Sequence, residues 1–354
     1  MKDELLFLAE YPNETNIKDG MISRIKAIDQ IFEDVPRIYL TVSLRRNIKM
    51  YQQKVGKIEL YKLNLFMHFF KIVRLIINSK TIYSHSIHMS KFLYILFPFF
   101  KGNLILDAHG VVPEEELLFQ KKKLASLLMS IVEKVVFSYA KYVICVSKAM
   151  ENHFKRKYKK FKGKYIIYSI LPENLLQKQL ESRREPQKEI NVIYSGGISP
   201  WQNISLMLKT IENNQTPHIK YTILTGDLLG LKQELKKFKI EPAYLNVLSV
   251  LPSELDKFYQ QADYAFILRD DIIVNNVANP TKMVEYLYYG IIPIVLSPKI
   301  GDYFELGYDY FSINEFNTDL LKPEQPSVKN MLVVKQLFEQ NKVIDLKKEI
   351  LNYN

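Results

Sequence analysis

Short apolar runs recur along the chain, each followed by a longer stretch with apolar residues at helical spacing. In the first half the runs are Leu5 to Leu8, Arg37 to Val42, Ile58 to Tyr61, Ile82-Tyr83, Leu104 to Leu106, Tyr142 to Val146 and Tyr165 to Tyr168. The helical pieces between them include Ile22 to Phe32, Phe66 to Ile77 and Glu114 to Ala140, whose apolar faces are expected to be core. Strands alternating with helices predict parallel βαβ units.

Residues 179 to 189 are polar, contain Pro186 and lack periodicity, which predicts an interdomain linker. The alternation then restarts with Ile193-Tyr194, Tyr221 to Leu224, Val247 to Leu251, Tyr264 to Leu268 and Ile292 to Leu296 as strands. Helices are expected to begin near Trp201, Leu228, Ser253 and Pro280, and Val328 to Leu351 is helical in pattern. The expectation is an α/β protein of two Rossmann-like, doubly wound parallel-sheet domains, residues 1–180 and 181–327, with a C-terminal helical segment over 328–354. If the two face one another, the carboxyl ends of their strands share a cleft, and ligands bind there.

Composition narrows the class. A chain of 354 residues is long for one domain, and 47% hydrophobic with 25% charged residues excludes wholesale disorder and a multi-spanning membrane protein. Phe92 to Phe100 is too short to span a bilayer and is interrupted by Pro98. The first residues carry Asp3 and Glu4 and no small-residue cleavage site, so a cytoplasmic location is expected. Cys145 is the single cysteine, within a strand pattern, which excludes an intramolecular disulfide and a cysteine zinc cluster.

The net charge of +11 is uneven: residues 1–187 hold 32 Lys+Arg against 18 Asp+Glu, the remainder 17 against 20. The first half is thus suited to an anionic partner. Lys155 to Lys164 holds seven cations with interleaved aromatics, and Phe66 to Ile77 and Phe92 to Phe100 supply apolar bulk in the same half. These features point to an anionic membrane surface, with a solvated basic face as the alternative. No nucleic-acid motif accompanies them.

The stretch Arg269 to Pro293 carries the chemistry. Asn279 suits an N-cap and Pro280 a first helical residue, so the helix should open with free N–H groups and a positive dipole end. Lys282 and Glu285 are three apart and share a face. A phosphate needs N–H donors and a cation, and a ribose diol needs an acceptor for two hydroxyl protons, so the pair suits a nucleotide. The alternative is a surface ion pair. Ser195-Gly196-Gly197 follows a strand and either admits a diphosphate close to the backbone or forms an ordinary tight turn. No Asp-x-Asp occurs; Glu114-x-Glu116 and His85-x-x-His88 are the nearest metal-like spacings, so no metal is expected.

Four stretches, in order, resemble motifs of a known family: Asp107-Ala-His109-Gly110-Val-Val-Pro113-Glu114-Glu115; Val143-Ile-Cys-Val-Ser147-Lys-Ala-Met150; Ile193-Tyr-Ser195-Gly196-Gly197; and Ala278-Asn-Pro280-Thr-Lys282-Met-Val-Glu285 through Gly290 to Pro293. The family is that of the retaining GT-B glycosyltransferases of family 4 (glycosyltransferase group 1), especially the bacterial surface-polysaccharide type. The resemblance implies transfer of a hexose from a nucleoside-diphosphate sugar to the hydroxyl of a glycan or lipid-linked acceptor. Retention follows by front-face attack, with the leaving phosphate as base and neither a metal nor a protein nucleophile. The first domain would then hold the acceptor and the second the donor, on the cytoplasmic face of the plasma membrane.

By the same resemblance, Glu285 takes the ribose hydroxyls, and Asn279-Pro280-Thr281 with the Lys282 ammonium hold the diphosphate. Arg269 adds a second cation, and Gly196, Gly197 and Asn275 complete the donor site. His109 contacts the donor sugar or the developing charge, and Glu114 lines the acceptor side; apart from the resemblance, Gly20, after the first strand, either lines the acceptor side too or is a loop glycine in a simple turn. The sequence departs from the pattern in one respect above all: many members carry a glutamate eight residues before the ribose-binding one, where this chain has Val277, leaving Asp271, Asn275 or Asn276 as substitutes. Basic residues common after the glycine turn are absent too, with Gly197 and Gln202 near their places. A non-catalytic relative, a GT-B epimerase and a basic nucleic-acid-binding protein are the other readings.

Overall fold

The computed structural model describes residues 5–13, 16, 20–171, 175, 189–319, 321–322 and 325–351. The chain divides into two compact units, Met1–Ile170 with Lys342–Asn354, and Leu171–Asn341. The expected linker over 179–189 lies, but for Glu189, outside the described residues.

The first unit holds strands β1 (Leu5–Leu8), β2 (Arg37–Ser43), β3 (Tyr51–Val55), β4 (Ile58–Asn64), β5 (Thr81–His85), β6 (Asn103–Ala108), β7 (Ala140–Cys145) and β8 (Lys164–Ile167). They form one sheet in the order β3-β4-β2-β1-β5-β6-β7-β8. All neighbours are parallel except β3 and β4, an antiparallel hairpin turning at Gly56-Lys57. Gly56 sits at φ 57, a conformation glycine adopts without steric cost. Helices cover a parallel sheet on both faces, which is why β1 and β5 are buried at every position and β1 reads as an unbroken apolar run. One core gathers Phe7, Ile25, Phe32, Tyr39 and Tyr83 beneath helix Gly20–Ile31.

The second unit is parallel throughout, with β9 (Ile190–Ser195), β10 (Ile219–Leu224), β11 (Leu245–Leu248), β12 (Tyr264–Ile267), β13 (Ile292–Val295) and β14 (Phe311–Ser312) in the order β11-β10-β9-β12-β13-β14. The chain runs outward from β9 in one direction, then returns to run outward in the other. The switch point lies between β9 and β12, and the loops beyond their carboxyl ends begin at Gly196 and Leu268.

Several expectations need correction. The piece Glu114 to Ala140 is not one helix but two, Val112–Leu118 and Lys123–Tyr139, broken at Lys121, which stands at φ 53. Strand β3 was not legible because it is an edge strand exposed at all its positions, with no apolar face to mark it. The unit boundary falls at 170 and 171, earlier than the expected 180, because Leu175 packs into the second unit's core. The C-terminal segment also divides: Val333, Val334 and Leu337 of helix Val328–Lys342 belong to the second core, whereas Leu346 and Ile350 of helix Leu346–Leu351 belong to the first.

Candidate functional site

The second unit brings Lys282, Arg269, Gly196, Asn275 and Glu285 together at its switch point. Helix Thr281–Tyr288 is anchored by Met283, Val284, Tyr286 and Leu287, all fully buried. Its N-cap is Pro280, at φ −68 and ψ 127, not Asn279 as expected. The Asn279 carboxamide is turned aside to accept a hydrogen bond from the Tyr303 hydroxyl, so it is not available to cap. The N–H groups of Thr281 and Lys282 then open the helix with no partner among the described residues, as donors at the positive dipole end.

The Lys282 ammonium lies over the Tyr194 ring, 4.4 Å from its centroid, with the Tyr194 hydroxyl at 3.3 Å and Gln202 Oε1 at 3.5 Å. Both hydrogen bonds are long, and among the described residues no carboxylate pairs with this cation. Burial pushes its pKa down to about 7, helped by Arg269 and opposed by Glu285. Gly196, at φ 138, makes the room: a Cβ there would stand 2.3 Å from Lys282 Nζ. Its glycine character therefore serves the lysine directly. Gly197 is different, because a Cβ would meet nothing within 4 Å, and its carbonyl accepts from the Tyr194 hydroxyl.

Arg269 follows β12 and donates from Nη1 to Asn275 Oδ1 at 3.1 Å, while its Nε is shielded from solvent without a partner. Burial draws its pKa down. Asn275 is wholly buried, with Nδ2 on the Asp270 carbonyl at 3.0 Å. Both ends of its amide are used inside the protein, so it positions Arg269. Val277, at the place of the missing glutamate, is core. Asp271 and Asn276 bond to each other at 2.7 Å, and Asp271 also pairs with Lys299 at 3.0 Å.

Glu285 stands one turn along the helix from Lys282. The Tyr259 hydroxyl donates to its Oε2 at 2.8 Å and lies 2.6 Å from Ser195 Oγ, while the Tyr286 hydroxyl accepts from the Ser195 N–H at 2.9 Å. The end of β9 is thereby tied to the helix that carries both charges. Oε1 accepts nothing from any described residue. Burial raises the Glu285 pKa, with Tyr259 and Lys282 opposing. Tyr194 and Tyr259 are not marked by the sequence, and Gln202 is marked there only as standing near the place of an absent basic residue. Tyr194 and Gln202 lie 88 and 80 residues from Lys282, so no local spacing signals those contacts.

The remaining predicted residues belong to the first unit. His109 follows β6, and burial lowers its pKa to about 4, so its ring is neutral at ordinary pH. Its Nε2 is shielded and unpartnered. Behind it, Asp107 is clamped by Arg24, with Nη2 at 2.6 Å and Nε at 3.0 Å, and His85 Nδ1 stands at 3.4 Å. Glu114 pairs with Lys157 at 2.8 Å beside His153, and its pKa is held at about 2. Gly20 is the first residue of helix Gly20–Ile31, not the loop glycine expected.

No protein-family model matches the chain, and no curated protein matches its sequence. Solved structures do resemble it. Anabaena HepE in complex with UDP-glucose shares 12% identity at a TM-score of 0.67, over 98% of this chain and 99% of that one. Sucrose-phosphate synthase from Thermosynechococcus elongatus shares 12% at 0.62, over 98% and 96%. A trehalose-6-phosphate synthase structure, from work on enzymatic glycosyltransfer with retention, shares 10% at 0.65, over 99% of each chain. The chain has the GT-B fold of these proteins, with one parallel-sheet α/β domain in each unit.

Proposed function

We propose that the protein is a glycosyltransferase that binds a nucleoside-diphosphate sugar in its second unit and moves the sugar to an acceptor hydroxyl. The observation that carries this reading is the grouping, at the switch point, of an ammonium without a carboxylate partner and two helix N–H groups without an acceptor among the described residues, a guanidinium, and a carboxylate one turn beyond. It stands in a fold whose neighbours include one solved with UDP-glucose.

The reaction breaks the bond from the anomeric carbon to the diphosphate oxygen and forms one to the acceptor oxygen, whose proton passes to the departing phosphate. Negative charge grows on the diphosphate, where Lys282, Arg269 and the N–H groups stabilise it without having to reorganise. Two protein cations supply what a metal otherwise would, so we read the transfer as metal-independent. Glu285 Oε1 is the acceptor for the ribose hydroxyls. We assign retention, which one neighbour's study names for its own enzyme, and a neutral His109 that hydrogen-bonds the sugar. The unit bearing His109, Gly20 and Glu114 is the acceptor side. The four family 4 motifs support a surface-polysaccharide role with a glycan or lipid-linked acceptor, on the cytoplasmic face of the membrane.

Thermal shift against UDP-, GDP- and CMP-sugars tests the reading. One nucleotide class should raise the melting temperature by several degrees, since ligand at about a hundred times its Kd adds about 2.7 kcal/mol. No shift with any of them, beside salt-sensitive binding of RNA, would replace it with the nucleic-acid reading.

The pH dependence of binding follows from Lys282. With its pKa near about 7 the free protein holds that proton below neutrality and sheds it above. A diphosphate raises the pKa again, so binding takes up almost no proton at about pH 6 and up to about one at about pH 8, and affinity falls as pH rises past neutrality. Calorimetry in buffers of different ionisation heat reads this uptake directly. Proton release above neutrality would place Lys282 away from the diphosphate.

A further inference from the structure

Three neighbouring elements of the first unit turn apolar side chains to solvent. The chain steps from β4 to β5, β6 and β7 in one direction across the sheet, so right-handed crossovers place the connecting helices on the same face. There helix Phe69–Asn78 touches the 3-10 turn Tyr94–Phe99, which touches helix Lys123–Tyr139. The first helix buries Ile72, Leu75 and Ile76, yet Phe70 is 87% exposed and Phe66, one turn before it, 74%. The long helix buries Met129, Val132, Val136 and Phe137. Its opposite stripe, Leu124, Leu127 and Ile131, is exposed, Leu124 at 84%, and between the helices Phe99 is 70% exposed. Exposed apolar side chains gathered on adjoining elements in this way mark an interaction face.

The charges around it are of one sign. Arg74, Lys101, Lys121, Lys122, Lys123 and Lys134 are exposed, whereas no acidic side chain from 65 to 141 is. Asp107 is paired with Arg24, Glu114 and Glu133 with Lys157, Glu115 accepts from the Val111 N–H, and Glu116 is half-buried beside His88. A second copy of this face would bring cations against cations. A partner that is both apolar and anionic complements it. The segment Lys155 to Lys164 is a poorer candidate, because Lys155, Lys157 and Lys164 are already paired with Glu151, Glu133 and Glu349.

We infer that the face formed by helices Phe69–Asn78 and Lys123–Tyr139 docks on an anionic lipid bilayer, its apolar stripes seated in the headgroup boundary and its lysines on the lipid phosphates. Among the described residues no helix is long and apolar enough to cross a membrane, and amphipathic helices lying in the interface plane bind without crossing. The inference supplies a partner for the unit assigned above to the acceptor, but its test reads lipid binding, so either can fail alone.

The test is co-sedimentation with phosphatidylglycerol/phosphatidylcholine vesicles. Wild type should bind these in a salt-sensitive manner and leave phosphatidylcholine vesicles unbound. Phe70→Ser/Leu124→Ser/Leu127→Ser should lose at least about tenfold with a melting temperature little changed, because these side chains are mostly exposed in the free protein. Lys121→Glu/Lys122→Glu/Lys123→Glu should lose at least about a hundredfold, since the loss of three cations at about fivefold each already amounts to that. Lys159→Glu/Lys160→Glu should change binding less than the triple reversal. Wild type left in the supernatant with anionic vesicles overturns the inference, as does undiminished binding by the serine variant. A serine variant that merely converts a dimer to a monomer in sedimentation velocity overturns it too, by making the face a contact between copies.

Discussion

Replacing Lys282 by alanine is expected to weaken nucleotide-sugar binding about a hundredfold while leaving the free protein as stable as before or more so. A hydrogen bond to a charged partner contributes about 1.5–3 kcal/mol, and the upper end of that range is about two decades of affinity. The free protein gains little from this lysine. Its ammonium is partly desolvated, its two hydrogen bonds are 3.3 and 3.5 Å long, and no carboxylate among the described residues pairs with it. A group held this way costs the apo state and acts when an anion arrives, the pattern expected where stability is traded for function. Glu285→Gln should cost less, about tenfold, because the amide keeps the size and loses only the charge on one acceptor. Calorimetric titration with the nucleotide sugar, beside thermal melts without it, separates the two effects. An affinity loss that tracks a lower melting temperature would make Lys282 a structural residue, and wild-type affinity in both variants would remove the helix from the donor site.

Much of this arrangement was legible in the sequence, for a definite reason. A parallel sheet covered on both faces writes its strands as apolar runs, and every strand with that character was found; β3, exposed throughout, and the two-residue β14 were not. The Lys282 and Glu285 pair could be read because helical spacing is local. What surrounds it could not, because Tyr194, Gln202 and Tyr259 reach the pair through the fold. The same limit explains the N-cap: Asn279 is a good cap by type, but Tyr303, distant by 24 residues, takes its side chain. Gly196 illustrates the converse, since a glycine after a strand predicts close approach, and the approaching atom is the lysine itself. The unpartnered stripe on helix Lys123–Tyr139 was equally hidden, because helical periodicity shows an apolar face without showing whether anything packs on it.

Arg24→Ala should destabilise the first unit by about 3–5 kcal/mol, the cost of leaving a buried carboxylate without its partner. Asp107 is fully buried and Arg24 nearly so, with three short contacts between them and a further bond from Arg24 Nη2 to the Tyr168 carbonyl at 3.2 Å. Burial alone would raise the Asp107 pKa, but Arg24, with His85, outweighs it and holds the carboxyl well below the usual range. That depression contributes stability present above the unfolded-state pKa and lost as pH falls below it. Without Arg24 only His85 and His109 oppose the burial effect, the pKa rises, and the variant recovers stability as the acid takes a proton. The gap between wild type and Arg24→Ala should therefore begin to narrow above about pH 4, as the variant's carboxyl takes its proton, and narrow further below it as wild type loses its own contribution, which urea unfolding at a series of pH values measures. Arg24→Leu/Asp107→Leu should regain most of the loss, because removing both charges leaves none buried alone. The consequence reaches the proposed chemistry: His109 follows Asp107 by two residues, and Arg24 is one of the charges that keep its ring neutral. A change in Arg24→Ala smaller than about 1 kcal/mol, constant across pH, would mean that solvent already screens the pair and that the end of β6 is held in place by packing alone.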